Sequence, residues 1–291
     1  MTVRAIWLRE FGPPSALTPG EAPEPVGEAV IEVRFSNITF VETQMRAGRG
    51  PFPVQLPMIP GNGVGGVVGA RRVIASLGGS GGYAERVAVP AAALIEVPEA
   101  MALDDAVALL ADGRTATMLA DAAAVGAGER VLVLAAAGGV GTLLTQLALR
   151  AGASVVGAVG APAKRTVVEA LGGSGVLYDE VAGPFDVVFD GVGGEVARAA
   201  FACLARGGRM LSYGLASGSW AKIAPEEAAA RGVTLVSPDR DPAKLRGYTE
   251  RALASGLRPL IGQRFPLENA ADAHAAIEAR TTTGKTLLEV R

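Results

Sequence analysis

Residues 131–141, VLVLAAAGGVG, carry the clearest chemistry in the chain. An apolar run leads into Gly138, Gly139 and Gly141, and Leu143, Leu144, Leu147 and Ala148 follow at helical spacing. The pattern is a buried strand, a glycine turn and a helix start. Without side chains, backbone N–H groups can approach a phosphate, and the helix N-terminus adds its dipole and its unpaired N–H groups. Residues 153–159, ASVVGAV, read as a second buried strand and complete a strand–helix–strand unit. The chemistry implied is binding of a dinucleotide pyrophosphate, as in nicotinamide cofactors. The spacing departs from GxGxxG: Ala136 takes the first glycine position, and Ala137 and Val140 complete the turn. Taken alone, the motif also fits a tight strand–helix turn with no ligand.

The phosphate preference can be read a little further on. NAD readers place an acid about 20 residues after the glycines, on the ribose 2′-hydroxyl. No acid stands between Glu129 and Glu169 here, and Lys164 and Arg165 follow the second strand. Cations attract a 2′-phosphate and a carboxylate would repel it, so NADPH is the expected cofactor.

Other chemistries are excluded by count. Cys203 is the one cysteine and His274 the one histidine, so an internal disulfide and a Cys/His zinc site cannot be assembled, and no metal is expected. Cys203 lies in an apolar stretch, which gives it a packing role, and His274 in a helical pattern, which gives it a capping or core role. A net charge of −2 with no basic, aromatic-laced patch argues against nucleic acid. The uncharged run 131–149 contains three glycines, Thr142, Thr145 and Gln146, so it reads as strand plus helix rather than a membrane span. The opening MTVRAIWLREFG carries Arg4, Arg9 and Glu10 and has no long apolar core; no secretory signal is read there, and a cytoplasmic location is expected.

The chain of 291 residues is long enough for two cores. Residues 2–8 and 28–35 read as strands separated by a Pro-rich turn at 19–27; residues 72–76 and 83–89 add short strands, and 52–69 is dense in Pro and Gly. A helix over 104–123 precedes strict alternation: strands at 131–134, 153–159, 176–178, 185–190, 208–214 and 233–237, with a helix at 196–205. The fold class is α/β, with a β-rich domain beside a doubly wound parallel sheet. Ligands of such sheets sit beyond the carboxyl ends of the strands, which gathers 138–141, 160–164, 191–193 and 213–216 along one crevice. Residues 257–265, a helix at 269–278 and a strand at 285–290 are expected to return to the first domain.

The chain resembles the zinc-free quinone oxidoreductase (zeta-crystallin-like) branch of the medium-chain dehydrogenase/reductase superfamily over essentially its whole length. The matching pieces are VRAIWLREFG, Pro60-Gly61-Asn62 with Gly65-Gly66-Val67-Val68, GGYAE at 81–85, GRTA at 113–116, AAGGVG at 136–141, FDVVFDGVGG, GGRMLSYG and TTGK at 282–285. The resemblance implies a GroES-like domain (1–113 and 257–291) joined to a Rossmann domain (114–256), with the active site in the cleft between them. It also implies NADPH-dependent reduction of a quinone or another α,β-unsaturated carbonyl, and a homodimer joined edge to edge through 233–237.

Cofactor residues expected on these grounds are Thr115, Ala137, Gly138, Gly139, Val140, Gly141, Gly160, Lys164, Arg165, Gly191, Val192, Tyr213, Gly214, Leu215 and Lys285. Thr39, Gln44 and Arg46 are the candidate donors to a carbonyl oxygen, Arg46 being equally readable as a structural anchor. Three features depart from the family. The Asn-Phe-x-Asp pattern reads Thr39-Phe40-Val41-Glu42, and a tyrosine a few residues later is replaced within 49–52. PGNE becomes PGNG, with Gly63 in place of the acid. The segment 68–74 is shortened, which trims a hairpin. The altered substrate side leaves a second class of function open, an NADPH-binding redox sensor or partner module without turnover.

Overall fold

The structure is a computed structural model and describes residues 1–49 and 53–291. Of the segment expected to lack the family tyrosine, residues 50–52 lie outside the described residues. The chain divides into two compact units, Met1–Ala111 with Arg258–Arg291, and Asp112–Leu257. In chain order the first elements are β1 (Thr2–Leu8), β2 (Leu17–Pro23), β3 (Ala29–Ile38), α1 (Phe40–Arg46), β4 (Gly63–Val68), β5 (Arg71–Ser76), β6 (Arg86–Val89) and β7 (Ile95–Glu96). Then come α2 (Leu103–Ala108), α3 (Arg114–Ala123), β8 (Arg130–Leu134), α4 (Gly139–Arg150), β9 (Ser154–Val159), α5 (Arg165–Ala170) and β10 (Ser174–Leu177). β11 (Phe185–Asp190), α6 (Gly194–Ala202), β12 (Leu204–Ser212), α7 (Pro225–Arg231), β13 (Thr234–Leu235) and α8 (Pro242–Ala254) follow. β14 (Ile261–Pro266), α9 (Ala270–Glu278) and β15 (Lys285–Glu289) are the last.

In the first unit the strands run in the order β14-β15-β3-β4-β5-β7, with β6 also paired to β3, and β1 and β2 form a separate antiparallel pair. β3 alternates: Ile31 and Val33 are buried while Glu32 and Arg34 face out, so the period of two selects one face for the core. Each such side chain contributes about 1.5–3 kcal/mol on burial. Ile6, Leu8, Val64, Val73, Tyr83 and Leu288 join the same core. The turn expected at 19–27 is in part strand, because β2 pairs with β1 and sets Pro19 opposite Ile6. β4 and β5 meet in a two-residue turn with Val68 opposite Arg71 and Gly69 at φ 59°.

In the second unit the parallel strands run β10-β9-β8-β11-β12-β13. Numbered by appearance this is 3-2-1-4-5-6, the doubly wound order. β8 and β11 are buried along nearly their full length, as strands covered by helices on both faces must be. Leu132, Leu134, Val188, Phe201 and Met210 form part of this core.

The helix expected over 104–123 is interrupted. A π turn, Leu109–Gly113, separates α2 from α3, and the first crossing between units falls inside it. α6 and β12 also begin earlier than their sequence patterns suggested, because Gly193 at φ 75° opens α6 directly after the β11 turn.

Candidate functional site

The glycine turn forms at the carboxyl end of β8. Ala135 adopts a left-handed conformation (φ 54°), and Gly138 donates its N–H to Ala135 O at 2.9 Å. Gly138 is the N-cap of α4, so the N–H groups of Gly139, Val140 and Gly141 open the helix, where no intrahelical carbonyl can reach them. A Cβ on Gly141 would lie 2.4 Å from Ala135 O, so glycine there lets helix and strand close up. Ala137 is buried beneath the turn. These residues fit a dinucleotide pyrophosphate: a glycine-rich cradle with N–H donors at the positive end of a helix dipole.

Two further loops stand at neighbouring strand ends. After β11 the Asp190 carboxylate accepts from Val192 N at 2.9 Å, Gly193 N at 2.8 Å and Ser212 Oγ at 2.9 Å. Burial raises the Asp190 pKa, and these hydrogen bonds oppose the rise. The loop after β12 is laced to the first: Tyr213 N donates to Asp190 O (2.9 Å), Ala216 N to Gly191 O (3.3 Å) and Ser217 N to Val192 O (2.8 Å). Glycine is required where they touch, since a Cβ on Gly191 would lie 2.7 Å from the Tyr213 hydroxyl and one on Gly214 2.7 Å from Gly191 O. Burial, first, and the nearby Asp190 push the Tyr213 phenol well up, so it stays a neutral donor. The fold thus brings Ala137–Gly141, Gly160, Gly191–Val192 and Tyr213–Leu215 to adjacent strand ends, while Thr115 stands half-buried in the first turn of α3.

At the end of β9 the picture changes. Lys164 ends a short 3₁₀ turn (Pro162–Lys164), and Arg165 starts α5. Arg165, expected to attract a 2′-phosphate, already has an anionic partner: its Nη2 donates to both Glu180 oxygens, at 2.6 and 2.7 Å, and Leu177 N donates to Glu180 Oε2 at 2.9 Å. The local positive field is therefore reduced by a carboxylate that the sequence separates from it by fifteen positions. Tyr178, absent from the sequence expectations, borders the same place: a Cβ on Gly160 would lie 3.3 Å from its ring. Its position directly after the third parallel strand was the available signal.

In the first unit α1 carries the candidate donors. Thr39 is its N-cap in a capping box with Glu42, and Thr39 N donates to Glu42 Oε2 at 2.5 Å. Gln44 is half-buried, with Nε2 3.2 Å from Thr43 Oγ1. For Arg46 the contacts favour the anchor alternative. It is 2% exposed and donates to Gly12 O (2.9 Å), Thr43 O (3.4 Å) and the Glu278 carboxylate, so it anchors α1 to α9 and the loop after β1. Lys285 is buried at 3% exposure, and its charge acts on Glu42.

Glu42 also resolves the missing acid. A Cβ on Gly63 would lie 2.4 Å from Asn37 Nδ2 and 2.8 Å from Leu110 Cδ2, so a side chain there would have to displace both. Glu42 Oε1 instead accepts from Asn62 N at 2.8 Å, placing a carboxylate at that corner from another element. Burial raises the Glu42 pKa, while the Thr39 and Asn62 hydrogen bonds and Lys285 pull it down.

His274 has the core role read from its pattern: fully buried, with Nε2 2.8 Å from the Tyr83 hydroxyl. Cys203 is half-buried at the C-cap of α6. Among the described residues no group of three or more His, Cys, Asp and Glu side chains could hold a metal ion.

Comparison with known proteins gives a consistent picture. Residues 174–288 match the family described as zinc-binding dehydrogenase. The probable quinone oxidoreductase of Schizosaccharomyces pombe is 33% identical over 318 residues, covering 97% of this chain and 96% of that protein. Human quinone oxidoreductase is 30% identical, covering 98% and 97%. Among solved structures, the quinone oxidoreductase of Thermus thermophilus, determined also as its complex with NADPH, superposes with a TM-score of 0.87 at 33% identity over 98% of this chain and 99% of that one. With a Rossmann strand order and a glycine turn at the end of β8, the chain belongs to the quinone oxidoreductase family of the medium-chain dehydrogenase/reductase superfamily.

Proposed function

We propose that this protein is an NADPH-dependent, zinc-independent oxidoreductase that reduces a quinone or another α,β-unsaturated carbonyl. The observation that carries the reading is the glycine-rich turn 138–141 at the head of α4, in a sheet of doubly wound order. Bound NADPH would supply the hydride from its nicotinamide ring. Gly138, Gly139 and Gly141 admit the pyrophosphate to the N–H groups of α4. Lys164 and Tyr178 would border the 2′-phosphate of the bound cofactor, with Arg165 paired to Glu180 in the same segment. The Asp190 carboxylate fixes the 190–193 turn, and the laced 213–217 loop holds it in place, so neither has to reorganise on binding. Negative charge developing on the substrate carbonyl oxygen calls for hydrogen-bond donors, and Thr39 and Gln44 are those assigned here. The reduced product takes its proton from solvent.

β13 is the edge of the parallel sheet, and a homodimer paired along it belongs to the same reading. No helix among the described residues is long and apolar enough to cross a membrane, in keeping with a cytoplasmic location.

The test is fluorescence titration with NADPH and NADH, then NADPH oxidation on a naphthoquinone and a panel of enones. Tighter NADPH binding with turnover supports the reductase. Binding without turnover on any acceptor moves the assignment to a redox sensor. Binding of neither cofactor removes the role of residues 138–141.

A further inference from the structure

The anion cradle has a carboxylate lying against it from within the protein. Asp112 sits in the π turn Leu109–Gly113, in the same unit as the cradle. A Cβ built on Gly139 would lie 1.9 Å from Asp112 Oδ2 and 3.0 Å from its Cγ, so the carboxylate rests on the first residue of α4. The π turn is the device that aims it: one extra residue per turn rotates the residues beyond it relative to a continuous α-helix, and such insertions recur at functional sites. A negative charge is favoured at a helix N-terminus, and a pyrophosphate seeks that same position. Arg114 is near enough to feel the Asp112 charge.

We propose that Asp112 is an internal competitor for the cofactor pyrophosphate, holding the anion position in the free protein and setting the affinity for nicotinamide dinucleotides. The proposal rests on the reading of 138–141 as the pyrophosphate site. It makes Asp112 a determinant of affinity for both NADPH and NADH, because the pyrophosphate is common to them. It is therefore separable from any effect of Lys164 or Arg165, which would act only where a 2′-phosphate is present.

The experiment measures dissociation constants of NADPH and NADH, and the thermal midpoint of the free protein, for the parent chain, Asp112→Asn and Asp112→Glu. Removing one like charge beside the pyrophosphate should tighten both cofactors about tenfold. The free Asp112→Asn protein should melt a few degrees lower, because α4 loses a favourable charge at its N-terminus. Asp112→Glu keeps the charge and should stay within about threefold of the parent. Asp112→Ser carries the same expectation as Asp112→Asn and replaces it if the asparagine protein does not fold. Unchanged or weaker binding of both cofactors by a folded Asp112→Asn or Asp112→Ser protein overturns the proposal; weaker binding would make Asp112 a ligand rather than a competitor. If neither the parent nor the variants bind either cofactor, the reading of 138–141 fails instead.

Discussion

Acidification should weaken the first unit through one identifiable group. His274 is the chain's only histidine, so its ring signals report a single site. Its ring packs edge-on to Tyr83 with centroids 5.8 Å apart, and its Nδ1 has no partner among the described residues. Burial lowers its pKa to about 3, with Arg46 a smaller contributor. In an unfolded chain the same group titrates near 6.5. Between those values the unfolded state binds a proton that the folded state does not, so stability rises with pH through this window and is lost as pH falls. From pH 7 to pH 5 the loss amounts to about 2 kcal/mol. His274→Gln removes the titrating ring and can keep a hydrogen bond to Tyr83. Urea unfolding at pH 7 and pH 5 for both proteins should show the parent losing about 2 kcal/mol more than the variant, with other groups cancelling in the difference. Ring proton shifts of the folded parent should stay flat down to pH 5. A ring pKa of 6 to 7, or equal pH dependence in the two proteins, would refute the reasoning.

Arg46→Met should destabilise the first unit by about 3–5 kcal/mol, because it strips Glu278 and two carbonyls of a buried partner. Denaturant unfolding checks this, and the folded variant should retain turnover, which separates an anchor from a catalytic group. Gly141→Ala drives a Cβ onto the backbone oxygen of Ala135 at 2.4 Å and should lower the stability of the second unit by about 1–3 kcal/mol in thermal melts. Glu180→Gln releases Arg165 from its ion pair and should raise the preference for NADPH over NADH by about three- to tenfold, read as a ratio of dissociation constants.

The second unit was the more legible in sequence, for a physical reason. Strands covered on both faces are continuous apolar runs, and β11 stands at the bounds read from FDVVFD. The first unit hides its strands behind glycine and proline. β4 reads GVGGVV because a Cβ on Gly65 would lie 2.2 Å from Val107 Cγ2 and one on Gly66 2.0 Å from Glu32 O, so the strand exists only where side chains are missing. α1 was also missed, although Thr39 and Glu42 carry the spacing of a capping box. The turn 138–141 was legible because its chemistry is local. The commitments of Arg46, Lys285 and Arg165 were not, since each depends on a residue brought close only by folding: Glu278, Glu42 and Glu180. The π turn that aims Asp112 leaves no mark in the periodicity of 104–123 at all.

The place of β15 in its sheet has a consequence for synthesis. Lys285–Glu289 lies between β14 and β3, pairing antiparallel with the strand formed by Ala29–Ile38. A ribosome delivers Asp112–Leu257 in full before it delivers this strand. The parallel sheet can therefore assemble while translation continues, whereas β3 waits with one edge open for a partner made about 250 residues later. Nascent chains arrested before residue 285 should expose that edge, and this is the stage at which a chaperone would find the protein most in need of cover.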